Sequence, residues 1–367
     1  MTTVKDIFDF LCEMAPLRLA ESYDNPGLLA GDAAKPVTRA AIALDITPEV
    51  CSEAADSGCE LIVSHHPVIF RPVSSVRKDG AEAALWSLVN LGLSAICMHT
   101  NLDAAPDGVN DTLAEVLGLE KTGPLLCGRR ENYKKITVFV PDEYAEEVRA
   151  AMADAGAGRF GNYDECAFAV KGEGCFRPLE GARPFIGKKG TLERAGETRI
   201  EAVCSPEAAP AVVEAIRRAH PYEEPAYDIF DDEALFTQYG IGMTAKLVKP
   251  TGPDDFARFV ARTLGTDGAS VSKAGDKCEK IAVCSGAWDD ELTIAAREKG
   301  CDTILTGELK HSAKLLALAL GLNVVAAGHY ATENVVCPAL LSRLGARFPD
   351  VAFTLAHTKA PSHFVGA

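Results

Sequence analysis

Histidines and carboxylates in this chain collect where short apolar runs stop. His65 and His66 directly follow ELIVS and stand before Pro67. Asp45 follows AIAL, Asp103 follows SAICMHTNL, Glu308 follows DTILTG, and His329 follows NVVAAG with Glu333 four residues on. Open α/β sheets build their sites beyond the carboxyl ends of the strands, so these positions are where chemistry is expected. Each residue alone has an ordinary explanation. The histidine pair could sit in a turn, and Asp103 could cap one through its side chain. His329 and Glu333 could be an i,i+4 pair, and Asp45 and Glu308 could be charges favoured at helix N-termini. Their repetition at successive strand ends predicts a metal site.

The ligand set narrows the kind of site. His65, His66, Asp103, His329 and Glu333 are too many for one tetrahedral zinc, and the set holds no thiolate. It suits two divalent ions per chain, with zinc, manganese and iron all compatible with imidazole and carboxylate ligands. Adjacent histidines at a strand end face different directions and can serve different ions. With Glu333 as a bridge, the expected sets are His65, His329 and Glu333 for one ion, and His66, Asp103 and Glu333 for the other. Open positions would remain for water between the ions, as in two-metal hydrolysis. Two dications against two carboxylates leave about two positive charges, which favours hydroxide or an anionic substrate.

The elements that must position these residues alternate. AAIALDI, ELIVSHH and SAICMHTNLD read as strands. TPEVCSEAADSG reads as a helix capped by Thr47 with Pro48 at its first position, followed by helices in GAEAALWSLVNLG and DGVNDTLAEVLGL. The rhythm returns in KIAVCSG, DTILTG, NVVAAG and VAFTLAH with helices between them, which predicts parallel strands covered by helices. Residues 132–231 differ: KKITVFVP, ECAFAVKGEG, ETRIEAVCSP and PAYDIF with two helical segments give a βαββαβ order, the ferredoxin-like signature. The reading is an α/β core of residues 1–131 and 232–367, split by an inserted domain at 132–231.

Bulk properties exclude several classes. A net charge of −15 repels nucleic acid and anionic membranes. The twelve cysteines contain no CxxC, which argues against a zinc ribbon or redox pair and fits a reducing cytoplasm. The N-terminal spacing of Val4, Ile7, Phe8 and Leu11 is that of an amphipathic helix, not a signal peptide, and the longest apolar stretch is too short to span a bilayer. Neither GxGxxG nor GxxxxGK[ST] is present, and TGPDDFARF and DGVND read as turns and helix caps.

Several motifs in combination resemble the NIF-three-like family, whose bacterial members are labelled type-two GTP cyclohydrolase I homologues. They are SHHP at 64–67, HTNLDAAPDGVND at 99–111, TGELKH at 306–311, GHYATEN at 328–334, YDNPGLLAGD at 23–32 and ALDIT at 43–47. GEGCFRPLEGARPFIGKKGTLE and HPYEEPAYDIF resemble the PII/CutA-like insertion of its longer members. The resemblance implies a toroidal homohexamer with metal sites facing an internal cavity, and the same five ligands. It uses no ligand at His99, which is expected to support the site or pack beside it. Asp45, Glu308, Lys310 and His311 are further candidates for supporting the ligands or touching substrate, and Tyr222, Glu223 and Glu224 for a contact between subunits. Two departures stand out: CSGAWDD replaces a Gly/Ser-rich loop, and Ser312 replaces a frequent histidine. The expected function is metal-dependent hydrolysis of a small nucleotide-like or phosphorylated molecule. The alternative is a metal-ordered scaffold whose inserted domain senses a ligand.

Overall fold

The computed structural model describes residues 1–361. The chain forms two compact units, Met1–Arg129 with Tyr239–Ala367, and Arg130–Gln238.

The first unit holds a five-stranded sheet in the order Gly27–Ala30, Ser94–Cys97, Leu61–Ser64, Arg39–Ala43, Ala352–Leu355. The last four run parallel, and Gly27–Ala30 is an antiparallel edge. All residues of Leu61–Ser64 and Ser94–Cys97 are buried, as continuous apolar strands covered on both faces must be. VAFTLAH does not continue the C-terminal strands. It crosses to the N-terminal sheet and pairs Phe353 with Ala40. A second set of strands in this unit has Cys278–Trp288, Thr303–Leu309 and Asn323–Ala326 parallel at its centre. Residues 243–251 and Ser270–Ser272 flank them antiparallel. The α/β class holds, and the parallel strands fall in two sheets, each with antiparallel neighbours.

Helix Val4–Met14 begins at a capping box between Thr3 and Asp6 and buries Val4, Ile7 and Leu11. They join Ile42, Leu61, Ile96 and Leu340 in one core. Thr47 caps Pro48–Asp56 as its spacing predicts. TGPDDFARF is more than a turn. Gly252 and Pro253 open the helix Pro253–Leu264, which buries Phe256 and Val260. SAICMHTNLD is likewise not one strand. It stops at Cys97, and Thr100–Ala104 is a helical turn. Side chains offer that backbone partners outside the sheet: His99 N donates to Asn101 Oδ1, and Thr100 N donates to Asp24 Oδ2.

The second unit carries strand, helix, strand, strand, helix, strand in chain order. Its strands lie in the order Ala167–Phe176, Glu193–Cys204, Glu120–Pro141, Tyr227–Thr251. Helices Ala145–Asp154 and Ala209–Ala219 bury Val148, Met152, Val212 and Ile216 against Ile136, Val138 and Ile200.

Candidate metal centre

The strand Leu61–Ser64 delivers the histidine pair, and its neighbour pins it. His65 N donates to Ala43 O and His66 N to Leu44 O. The two rings therefore leave a fixed backbone on different bearings, 5.1 Å apart between centroids and tilted 46°. Gly328, at φ 98°, turns the chain out of Asn323–Ala326 into the helix His329–Glu333, where the i,i+4 spacing stacks both side chains on one face. Asp103 comes from the turn Thr100–Ala104, whose backbone is held from the side. Asn110 Nδ2 donates to Asp103 O while Asn110 Oδ1 accepts from Ser285 N.

Four imidazoles face one space for the same reason. Each Nδ1 sits on an outward acceptor: His65 on Met98 O at 2.8 Å, His66 on Asp45 at 2.7 Å, His99 on Asp24 at 2.8 Å, His329 on Glu308 at 3.0 Å. A ring that donates from Nδ1 presents its Nε2 lone pair on the opposite side, the tautomer a metal needs. His66 Nε2 and His329 Nε2 both lie 3.0 Å from Glu333 Oε2. His65 Nε2 lies 3.7 Å from Asp103 Oδ1 and 3.9 Å from Glu333 Oε1. Among the described residues, His65 Nε2 and Asp103 Oδ1 are buried without a hydrogen-bond partner, and buried Glu333 Oε2 is shared between the ring nitrogens of His66 and His329. Buried polar atoms left in this state are costly, and their convergence fits cations.

The backbone leaves room for this cluster. A Cβ on Gly286, at φ 62°, would meet Glu333 Oε1 at 2.0 Å and His329 Nε2 at 3.3 Å. One on Gly307 would meet Thr332 Oγ1 and His329 Cα at 2.7 Å. Thr332 in turn accepts from Gly286 N at 3.1 Å.

Without ions, protons and burial set the charges. Burial pushes His65 down to about 4. For His66, burial opposes charge, but the carboxylates of Asp45 and Glu333 outweigh it and hold the ring at about 10. The Glu333 contact raises His329 to about 9. Burial, then repulsion from Glu333, lifts Asp103 well above the usual carboxylate range. Burial alone would lift Glu333 too, yet His329 and His66 bring it down. Asp24 is held at about 2, since its bonds to His99 and Thr100 overcome its burial.

The side chains of the five expected ligands thus lie close together. The contacts group His66 with His329 on one oxygen of Glu333, and His65 with Asp103 near the other. His99 does not share a strand face with Asp103; it begins the helical turn that carries it. Its ligand atom lies with those of His65 and His66 within 4.8 Å of one another. Asp45 and Glu308 orient imidazoles. Lys310 lines a cavity of about 980 Å³ beside the cluster, while His311 is exposed at the start of helix His311–Ala319 and does not line it. Tyr222 and Glu223 bond inside the second unit, to Glu197 and to Arg183 N. Sequence reading left out Asp24, Asn110, Gly286, Gly307 and Thr332. All five fall inside stretches quoted above, which was the available signal.

The sequence profile of Duf34/NIF3 (NGG1p interacting factor 3) matches residues 2–363. The chain belongs to this family. It is 37% identical over 351 residues to a GTP cyclohydrolase 1 type 2 homolog of Bacillus subtilis, covering 95% of this chain and 94% of that one. A homolog of the same name from Halalkalibacterium halodurans is 39% identical over 329 residues, covering 89% and 87%. The crystal structure of a Bacillus cereus protein related to NIF3 superposes with a TM-score of 0.91 at 36% identity, covering 99% of each chain. No helix among the described residues is long and apolar enough to cross a membrane.

Proposed function

We propose that this Duf34/NIF3 protein is a dinuclear-metal hydrolase acting on a small nucleotide-like or phosphorylated molecule. The observation that carries the reading is the meeting of buried, unpartnered His65 Nε2 and Asp103 Oδ1 with the Glu333 carboxylate, which also takes His66 and His329. His65, Asp103 and Glu333 would hold one divalent ion, and His66, His329 and Glu333 the other. When bound, such ions supply Lewis-acid assistance to hydrolysis. The chain's own residues supply position. Asp45, Glu308 and Met98 O fix three imidazole tautomers, and the adjoining cavity admits a small molecule beside them. The names of the relatives favour a purine nucleotide as the first substrate to test. A homohexamer, a cytoplasmic location and an inserted domain at residues 132–231 complete the reading.

A second reading rests on the other unit. It encloses its own cavity of about 590 Å³ lined by Phe176, Phe185 and Tyr222, which would suit a ligand-sensing scaffold. The test is metal analysis of the purified protein, then a hydrolysis screen of nucleotides and phosphoesters before and after chelation. Turnover lost on chelation with assembly intact supports the hydrolase. Assembly lost on chelation, with no turnover in either form, supports the scaffold.

A further inference from the structure

Two large aromatic side chains stand in the open beside the histidine cluster. Tyr23 is 65% exposed and Phe70 41%. Their rings meet edge to face at 6.5 Å, and Phe70 meets His99 the same way at 6.1 Å. Exposed aromatic rings contribute little to folding, so a pair fixed at a polar site calls for another use.

These rings are held. Asp24 takes His99 Nδ1 and the Thr100 hydroxyl on one side of Tyr23. One residue further on, Asn25 Nδ2 donates at 2.6 Å to the carbonyl of Ile69, the residue before Phe70. The YDN stretch therefore ties both aromatic positions to the turn that carries Asp103. An aromatic surface fixed in advance loses little freedom when a flat ring settles against it.

The charge around the cavity points the same way. Its lining carries Glu21, Asp103, Asp289, Glu291 and Glu333 against Lys310, the one lysine or arginine among the described lining residues. Helix Asp290–Glu298 offers no phosphate site, because the Asp289 carboxylate already accepts from Leu292 N, and Asp290 and Glu291 fill the first turn. Even with two dications bound, five carboxylates and one lysine bring the lining to about zero charge, whereas a triphosphate brings about four negative charges. Apart from bound cations, phosphate recognition draws on arginine forks or free backbone N–H groups.

We infer that the molecule this site takes is a planar heteroaromatic of low charge, a nucleobase or nucleoside, packed against Tyr23 and Phe70, and not a nucleoside triphosphate. This rests on the proposed hydrolase only for where the reacting atom would lie. The test is equilibrium dialysis of the zinc-loaded full chain with guanosine, adenosine, GTP and ATP, with metal content assayed after dialysis. The expected result is that a nucleoside binds at least roughly tenfold tighter than its triphosphate. Tyr23→Leu and Phe70→Leu should each weaken nucleoside binding by roughly tenfold, the size of a lost base–aromatic stack, with metal content and elution volume unchanged. Tighter binding of a triphosphate, binding of none of the four, or nucleoside affinity indifferent to both substitutions overturns the inference. So does a change of oligomeric state with binding retained, which would make the aromatic pair a subunit contact. Nucleoside binding without turnover of any compound leaves this inference standing and removes the hydrolase.

Discussion

His65 Nε2 stands 3.7 Å from Asp103 Oδ1, and neither atom has a hydrogen-bond partner. The separation is too long for a hydrogen bond. It is close to the roughly 3.4–3.6 Å between two ligands that each reach a tetrahedral zinc at about 2.1 Å. Glu333 faces this pair with one oxygen and the His66–His329 pair with the other, so it is placed to bridge. Elemental analysis of the purified protein should therefore find two divalent ions per chain, and Glu333→Ala should remove most of both. Full occupancy in that variant would rule out the bridge.

Stability of the metal-free protein should depend on pH from both sides. His66 and His329 rise from 6.5 to about 10 and about 9 in the folded state. What they contribute is fully present below pH 6.5 and is lost as pH rises through 9 and 10. His65 falls from 6.5 to about 4, so its contribution is present above pH 6.5 and is lost as pH falls toward 4. Thermal melting of chelated protein should show its maximum near neutral pH with a decline at each end. Metal must displace the protons on His66 and His329, and any that burial keeps on Asp103, so uptake at pH 7 should release about two protons per chain or more. Calorimetry in buffers of different ionisation enthalpy reads that number; a value near zero would mean both rings are already neutral.

The parts of this site that were legible in the sequence are those carried by residue type at strand ends. His65, His66, His329 and Glu333 follow buried apolar strands, and the strand pattern places them without a structure. The contacts among these side chains were not legible, because they depend on which way Asp103 enters. Reading SAICMHTNLD as one strand put Asp103 on an extended chain, whereas Asp24, distant in sequence, draws Thr100–Ala104 into a helical turn. The same kind of long-range contact hid the crossing of Ala352–Leu355 to the N-terminal sheet, since a parallel pair carries no local signal of its neighbour. At TGPDDFARF a turn or helix cap was legible, but the helix it opens, Pro253–Leu264, was not: Gly252 and Pro253 are as common in turns as at helix starts.

Gly286 is a residue that only the structure singles out. Its positive φ and the 2.0 Å approach of a Cβ to Glu333 Oε1 leave no room for a side chain. Gly286→Ala should destabilise the fold by about 1 kcal/mol from the backbone alone. The larger effect should be displacement of the Glu333 carboxylate. Metal content should drop to below half while the chain stays folded by circular dichroism; normal metal content would mean that Glu333 does not need its present position.

The two possible partitions of the ligands make opposite predictions for paired substitutions. If His65 and Asp103 serve one ion and His66 and His329 the other, His65→Ala and Asp103→Ala should each leave about one ion per chain. Combining them should remove no more, because both act on the same site. His65→Ala with His329→Ala should instead strip both ions, since each breaks a different coordination set. The alternative, with His65 and His329 on one ion, predicts that this second combination keeps one. Metal analysis of the three single and two double variants decides between them without any knowledge of the substrate. In a hydrolase that needs both ions, turnover should already fall by orders of magnitude in each single variant, so activity would not separate the partitions. Stoichiometry is therefore the decisive measurement, and one ion remaining in His65→Ala/His329→Ala would return the site to the partition expected from the sequence.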